Sequence, residues 1–220
     1  LVADGPNANI QGSVQLDGTN QCIEIQNASA LNPTNKITIR AWVYWEGSNN
    51  SYPFILAKGK HDQYDLFGGE SGNFSPWLRI NPSNNVSRDF HRSSVQILNS
   101  NQWYYIAASI DAINGQSNLY IWDVSGVLVD SHYETTPSYA IETTTENVYI
   151  GSGRLKSYSF KGKITDVLLE NVARTQTEIA NDRDLRKNGS DSNVIGYWKL
   201  NEAAPVSETD SAGVVARNTE

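Results

Sequence analysis

Hydrophobic and polar residues alternate along most of this 220-residue chain, in short runs that Gly, Asn, Asp and Pro separate. In the run KITIRAWVYW at residues 36–45, every second position from Ile37 to Trp45 is apolar. Successive side chains of a β-strand point to opposite faces, so this alternation predicts a strand with one face in a core. Similar runs recur as SVQLDG, CIEIQN, FILAKG, YDLFGG, WLRIN, SVQIL, ENVYIGS, SFKGKITDVLLEN and VIGYWKLNE. This cadence of short strands predicts an all-β sandwich or jelly roll, and no domain boundary is evident within residues 1–220.

The segment at residues 101–130, NQWYYIAASIDAINGQSNLYIWDVSGVLVD, carries five large aromatic rings. Both of its apolar stretches alternate, and the Asn114-Gly115 pair between them tolerates the positive φ angles of a tight reversal. The segment therefore predicts an antiparallel hairpin. Aromatic residues are usual fillers of a half-buried sheet, so we expect core packing for most of these rings. Trp42, Trp103 and Trp198 lie in strongly alternating runs and are expected to be mostly buried.

One segment has a helical pattern, TQTEIANDRDLRKN at residues 175–188. Thr175 stands three residues ahead of Glu178, which is the spacing of a capping box, and the basic residues near the end suit the helix dipole. The apolar stripe of this segment is thin. The sequence therefore predicts one short helix near the C-terminus, at the edge of the sandwich, with helix in under about a tenth of the chain.

Composition narrows the class of protein further. The formal charge of −7 and the pI near 5.0 would repel phosphate backbones, which argues against a nucleic-acid partner. No apolar run is long enough to cross a bilayer, so membrane insertion is not expected. The chain begins at Leu1 and has no Met, which indicates a processed product or an excised piece of a larger protein. A removed signal peptide would fit a secreted or cell-surface protein. The lone Cys22 is expected to be a small core residue.

Several blocks together carry a resemblance to a known family. They are SVQLDGTNQCIEIQNASALNPTNKITIRAWVYW, ILAKG, NQWYYIAASID, VYIGSG, FKGKITDVLLENVARTQTEI and GYWKLNE, and they follow one another in that family's order. Through them the chain resembles laminin G-like, concanavalin A-like jelly roll domains over nearly its whole length. The resemblance implies two curved antiparallel sheets and a role in recognition, because members bind carbohydrate or protein partners outside cells, frequently with calcium. GYWKLNE precedes the domain in many relatives, and at the C-terminus it is expected to pair with the N-terminal region of the sheet.

The resemblance also implies a structural calcium ion. In related jelly rolls an ion ties the turn after the first strand to one of the last strands, and the matching carboxylates here are Asp17 and Asp166. Calcium prefers about six to eight oxygen ligands, so carbonyl groups from residues such as Gly18 and Asn20 would complete the set. Asn20 stands where the family often has Asp. In the competing interpretation Asp17 is an ordinary turn residue and Asp166 pairs with a lysine such as Lys163.

The leading hypothesis is a non-catalytic recognition module that binds glycan or polysaccharide. A sugar site needs aromatic faces for stacking and polar groups for the hydroxyls. Residues 58–92 offer this mixture, and the candidate ligand-binding residues are Lys58, His61, Gln63, Tyr64, Trp77, Arg79, Arg88, Phe90, His91 and Arg92. Trp77 follows NFSP at a loop exit and is expected to be the most ligand-accessible tryptophan. Core packing for Tyr64 and Trp77, and a solvated loop for Arg88 and Arg92, are the competing interpretations.

Two other functions are compatible with such a fold. A protein-binding adhesion module of a larger surface protein would place its interface on the loop rim rather than in a sugar groove. A jelly roll hydrolase or lyase would need a positioned acid and base, but the Glu-x-Asp-x-x-Glu strand pattern is absent, and Asp166 and Glu170 on one strand face are four residues apart. His61, His91 and His132 lie in or beside polar loops, as ordinary surface histidines do. We therefore predict that the chain is not an enzyme.

Overall fold

The computed structural model of the chain describes residues 4–47, 50–59, 62–69, 74–82, 92–93, 98–187 and 191–201. Strands make up 47% and helices 8% of these residues, which confirms the predicted all-β class and the low helix content. The strands within these ranges are β1 (Val14–Asp17), β2 (Ile23–Ile25), β3 (Lys36–Trp45), β4 (Phe54–Lys58), β5 (Tyr64–Phe67), β6 (Trp77–Ile80), β7 (Arg92–Ser93), β8 (Trp103–Asp111), β9 (Gln116–Asp123), β10 (Leu128–Thr135), β11 (Val148–Ile150), β12 (Lys161–Glu170) and β13 (Val194–Trp198). The single α-helix of the same ranges is α1 (Gln176–Asp182). None of their helices is long and apolar enough to cross a membrane.

Two antiparallel sheets form the sandwich that the sequence predicts. The seven-stranded sheet has the order β1-β12-β3-β8-β9-β10, with β13 also paired to β12, and the six-stranded sheet has the order β2-β11-β4-β5-β6-β7. Segment 101–130 forms the predicted hairpin of β8 and β9, in which Tyr105 lies opposite Trp122. Other neighbours, such as β12 beside β3, are far apart in the chain. Most of the sheet order therefore depends on pairing between distant segments.

Strand β12 changes its partner along one edge. Its other edge pairs with β3, while β1 lies opposite residues 161–164 and β13 lies opposite residues 167–170. Asp166 stands between the two partners, at an irregularity of the β12–β3 register, with a φ of 54° that is rare for a residue other than glycine. The C-terminal strand therefore joins the sheet of the N-terminal strand as expected, but it lies end to end with β1 and not beside it.

The main core lies between the two sheets and uses the alternating positions that the sequence displays. The alternate residues of β3 from Ile37 to Trp45 point into it, as do Leu66 of β5 and Ile80 of β6. Trp198 belongs to this core, as predicted. Cys22 is half-buried beside β2 and does not belong to the core.

A second, smaller core covers the outer face of the seven-stranded sheet. Its rings include Trp42, Trp103 and Tyr105, and all three are buried. Trp42 is fully buried, and its Nε1 donates to the Arg183 carbonyl at 3.1 Å. The N-terminal segment reaches the same cluster through Ile10. The predicted burial of Trp42 and Trp103 is therefore confirmed, on the face opposite the main core.

Helix α1 packs on this second core and covers it. It begins at the predicted capping box, in which Thr175 Oγ1 accepts the Glu178 N–H at 3.3 Å and a Glu178 oxygen accepts the Thr175 N–H at 2.8 Å. The predicted position at the edge of the sandwich is wrong, because Ile179 is buried among the aromatic rings of the sheet face. Large rings on an outer face need cover from water, and a helix with a thin apolar stripe provides it.

Candidate functional site

The outer face of the six-stranded sheet carries a row of polar and aromatic side chains. Tyr64 and Leu66 of β5 belong to the main core, so Asp65 and Phe67 between and beside them point to the opposite face. The register of β2, β11, β4, β5 and β6 places one outward residue of each strand side by side. We call this set the outer row: Glu24, Tyr149, Ala57, Asp65 and Arg79.

A cluster of rings lies next to the outer row on the same face. We call it the aromatic cluster: Tyr52, Phe54, Phe67, Trp77 and Tyr158. The Trp77 ring centroid lies 5.9 Å from that of Phe67 and 6.1 Å from that of Tyr52. Phe54 and Phe67 are buried, whereas Trp77 is only half-buried. The five other tryptophans of the chain are buried, so Trp77 is the most accessible tryptophan, as predicted.

The outer row is acidic at one end and basic at the other. Glu24 is exposed, and its Oε1 accepts hydrogen bonds from Asn147 Nδ2 at 2.6 Å and from the Tyr149 hydroxyl at 3.2 Å. Burial, with a smaller contribution from Glu24, raises the pKa of Tyr149 to about 12, so its hydroxyl keeps its proton. Asp65 is fully buried in the middle of the row, and Arg79 at the far end is half-buried. The face therefore offers hydrogen-bond acceptors and donors at separate points.

Of the predicted ligand-binding residues, Trp77 and Arg79 come together on this face, two residues apart on β6. Three others are in the interior, which corrects their assignment as ligand contacts. Tyr64 is fully buried in the main core, and its hydroxyl donates to the Leu31 carbonyl at 3.1 Å. Gln63 is 1% exposed, and its Nε2 donates to the Pro33 carbonyl at 3.3 Å.

Lys58 is also in the interior, on the core side of β4. It lies opposite Val148 of the main core, and its ammonium group donates to Asn27 Oδ1. Burial lowers the pKa of Lys58 to about 8, against the opposing charge of Glu146. The two-residue period of a strand explains why Lys58 and Tyr64 were wrongly predicted to contact a ligand. Both residues occupy inward positions, although they adjoin loops of polar composition.

The remaining candidates are not part of the described site. His61, Arg88, Phe90 and His91 lie outside the described residues. Arg92 is described only by its backbone, which pairs with Leu78 in the short contact of β7 with β6. His132, the third predicted surface histidine, is half-buried in β10 at the far edge of the other sheet.

Sequence reasoning missed four residues of this face. They are Glu24, Asp65, Phe67 and Tyr149. The alternation in IEI, YDLF and VYI indicates that each of them points away from a core, so the face on which each residue lies could be predicted from the sequence. Their adjacency could not be predicted, because β11 inserts between β2 and β4 although it begins 90 residues after the end of β4.

The predicted calcium ligands do not come together. Asp17 lies opposite Lys161, and Asp166 is five residues further along β12, about 16 Å away at the rise of a strand. The backbone N–H of Thr19 donates to Asp17 Oδ1 at 2.8 Å and lowers the pKa of that carboxyl. The Gly18 carbonyl accepts from Asn50 Nδ2 at 2.6 Å. Asp17 and Gly18 are thus members of a hydrogen-bonded turn, and Asp17 and Asp166 cannot share one ion.

Asp166 has a different partner from the lysine considered above. It is buried, and the Tyr197 hydroxyl donates to its Oδ1 at 2.5 Å, whereas Lys163 pairs with Asp4. Among the residues that the structure describes, no group of three or more His, Cys, Asp or Glu side chains is placed to hold a metal ion. Calcium binding remains a prediction, but not through this ligand set, which also included the Asn20 carbonyl.

The chain also matches the model of a known protein family. Residues 17–180 match the model of the laminin G type described as the concanavalin A-like lectin/glucanases superfamily. The chain belongs to this superfamily. The description covers both lectins and glucanases, so membership of the concanavalin A-like superfamily does not by itself distinguish binding from catalysis. A search of curated proteins found no match to this concanavalin A-like chain.

Solved structures share the fold of this concanavalin A-like domain at low sequence identity. A putative carbohydrate-binding protein from Bacteroides ovatus aligns with a TM-score of 0.63 and 16% identity, over 86% of this chain and 53% of that one. The module CBM40 of a Ruminococcus gnavus IT-sialidase, bound to α2,3-sialyllactose, aligns with a TM-score of 0.60 and 14% identity, over 78% and 95% of the two chains. The LG1-3 region of the laminin α2 chain gives 0.55 and 13%, over 76% and 32%. The chain thus spans about half the length of the Bacteroides protein, and these similarities show the fold alone.

Proposed function

We propose that this concanavalin A-like domain is a non-catalytic, carbohydrate-binding recognition module of a secreted or cell-surface protein. Its glycan would lie on the outer face of the six-stranded sheet. The placement of Trp77 beside Arg79 on that face carries the proposal. Trp77 presents a partly exposed ring for stacking on a sugar, and Arg79 presents guanidinium donors for sugar oxygens on the same side.

The extent of the face supports a glycan of several residues. From Glu24 to Arg79 the outer row crosses five neighbouring strands, a span of about 19 Å at the usual spacing between strands. Glu24 at one end of the row is exposed and Arg79 at the other end is half-buried, whereas Tyr149, Ala57 and Asp65 between them are buried. Acceptors at Glu24 and donors at Arg79 can therefore contact different sugars at the two ends of this span. A site of this kind binds through several weak contacts on a rigid sheet, which limits the conformational entropy lost on binding.

The carboxylates of this face support binding over hydrolysis. Glu24 and Asp65 are separated by three strand spacings, about 14 Å. Glycosidases with paired carboxyl groups hold them about 5–9.5 Å apart, so these two residues cannot act as such a pair. Asp65 is also fully buried, which removes it from contact with a polymer on the surface.

The structural neighbours point to the same class of partner. One is a putative carbohydrate-binding protein and another is a carbohydrate-binding module with a bound sialylated sugar. The laminin region keeps a protein partner as the competing proposal. A glycan array separates the two, since a protein-binding module would retain no glycan.

The test compares wild type with Trp77→Ala, Arg79→Gln and a control, Tyr133→Ala. Tyr133 is 55% exposed in β10 of the other sheet, so its truncation removes an aromatic ring of similar kind without touching the proposed site. We expect Trp77→Ala and Arg79→Gln each to lower the affinity for the array's best ligand at least about tenfold, which is about 1.4 kcal/mol. Tyr133→Ala should bind like wild type.

Two outcomes contradict the proposal. One is the absence of any glycan binding by wild type, and the other is unchanged affinity of Trp77→Ala when its circular dichroism matches wild type. Loss of polymer viscosity on incubation would instead indicate an enzyme.

A further inference from the structure

An open cleft of about 400 Å³ lies at one end of the sandwich. Three segments form it: the turn after β1, the loop after β3 and the segment before β12. Polar and apolar surface line it in similar amounts, and the hydroxyl, amide and amine groups belong to Thr19, Asn50, Ser51, Lys156, Tyr158 and Ser159. The outer-row interpretation does not use any of these polar groups.

Hydrogen bonds fix the three segments to one another. Asn50 Nδ2 donates to the Gly18 carbonyl at 2.6 Å and to the Ser159 carbonyl at 3.1 Å. The Ser159 hydroxyl donates to the Thr19 carbonyl at 2.6 Å. The first bonds tie the loop after β3 to both other segments, and the last ties those two together. The cleft is therefore a preformed feature of the fold.

The cleft is continuous with the aromatic cluster through Tyr158. This residue lines the cleft, and its ring packs on Phe54 at 5.6 Å and on Tyr52 at 6.4 Å between centroids. Tyr52 in turn lies 6.1 Å from Trp77. An extended ligand stacked on Trp77 can therefore reach the cleft along an unbroken line of rings.

The charge within the cleft is positive. Lys156 is exposed and forms no ion pair with a carboxylate of the described residues. The nearest acid in the turn, Asp17, is engaged with the Thr19 N–H at 2.8 Å, and the neighbouring Lys161 lies opposite it in the β1–β12 register. On a chain of formal charge −7, such a position attracts an anion that the rest of the surface repels.

We propose that the cleft is a second subsite, which binds an acidic sugar residue through Lys156 while the neighbouring sugars of the same glycan lie on the aromatic cluster. The hydroxyl groups of Ser51 and Tyr158 would contact the sugar hydroxyls. The inference rests on the glycan-binding function proposed above and adds the class of ligand, a polysaccharide or oligosaccharide that carries carboxylate groups.

The experiment uses pairs of probes that differ in the carboxylate. They are oligogalacturonate and its methyl ester, a hyaluronan oligosaccharide and its methyl ester, and sialyllactose and lactose. Binding is measured by calorimetry at low and high salt for wild type, Lys156→Gln, Lys156→Arg and the control Lys36→Gln. Lys36 is at the opposite end of β3, about 30 Å along the strand from Trp45 near the cleft.

We expect wild type to prefer the acidic member of at least one pair. Lys156→Gln should lower that affinity about fivefold and leave the neutral member unchanged, and high salt should remove the difference. Lys156→Arg should retain the preference, and Lys36→Gln should behave like wild type.

Each other outcome has a definite meaning. Equal affinity of wild type for both members of every pair, or an equal loss for both members in Lys156→Gln, overturns this inference and leaves glycan binding in place. Failure to bind any saccharide of the array or of these pairs overturns both proposals.

Discussion

A buried ion pair beneath α1 gives the sharpest prediction about stability. Arg40 of β3 and Glu170 of β12 are 1% and 0% exposed, and their side chains approach to 2.8 Å. Breaking a buried pair by removing one member leaves a buried charge uncompensated, which typically costs about 3–5 kcal/mol. We therefore expect Arg40→Met and Glu170→Leu each to lower the free energy of unfolding by about this amount.

The surroundings rank the two variants. Without Arg40, Glu170 still accepts from Arg174 Nε at 3.0 Å, so Arg40→Met should lie at the lower end of the range. Without Glu170, Arg40 retains only the longer contact with Asp182, at 3.5 Å, among the described carboxylates. The double variant removes both charges, and because an apolar pair of similar volume is often as stable as the ion pair, it should cost less than either single change.

The assay is urea unfolding followed by tryptophan fluorescence, with Lys36→Gln as the control. Lys36 pairs with Asp111 at the same 2.8 Å, on the same strand as Arg40, but its side chain is 38% exposed. An exposed pair contributes about 0–1 kcal/mol, so the control should unfold nearly like wild type. Single variants no more destabilised than the control, or a double variant that equals the sum of the two, would refute the reasoning.

The remaining predictions concern a buried tryptophan, an accessible tryptophan, the pH dependence of stability and calcium. Trp42→Ala should lower the free energy of unfolding by about 3–5 kcal/mol, because the Trp42 ring is fully buried. Iodide should quench the fluorescence of Trp77 more readily than that of the other tryptophans. Stronger quenching of a buried tryptophan would contradict the assignment of Trp77 as the most accessible one. Burial raises the pKa of Asp166, so the free energy of unfolding of the wild type should fall relative to that of Asp166→Asn as pH rises above about 4. Urea unfolding at a series of pH values measures this difference. A wild type that instead loses stability relative to Asp166→Asn as pH falls would contradict the expected sign. If calcium raises the thermal midpoint relative to chelator, Asp17→Asn and Asp166→Asn should not both abolish the shift, because the two carboxylates cannot bind one ion.

Local pattern was informative about the candidate site only residue by residue. Trp77 is predicted to be accessible because it follows NFSP at a loop exit, and the structure confirms that prediction. Tyr64 also follows a polar segment, KHDQ, yet it is fully buried. The difference is the face on which each position of its strand lies. In YDLF the inward residues are Tyr64 and Leu66, whereas in WLRI the inward residues are Leu78 and Ile80 and Trp77 points outward. Polar neighbours indicate a loop nearby, but they do not decide which face a side chain takes.

The amino-acid pattern was enough to predict the strand content, the hairpin of β8 and β9, the capping box of α1 and the inward residues of β3. All of these follow from a period of two or from contacts within a few residues. The three-dimensional arrangement of the strands places β11 between β2 and β4, so that Tyr149 joins Glu24 and Asp65, and it places α1 over an outer face. It also decided that Asp17 and Asp166 lie apart. Such arrangements depend on pairing between segments far apart in the chain, where the hydrophobic pattern fixes which face of a strand is buried but not which strand lies beside it.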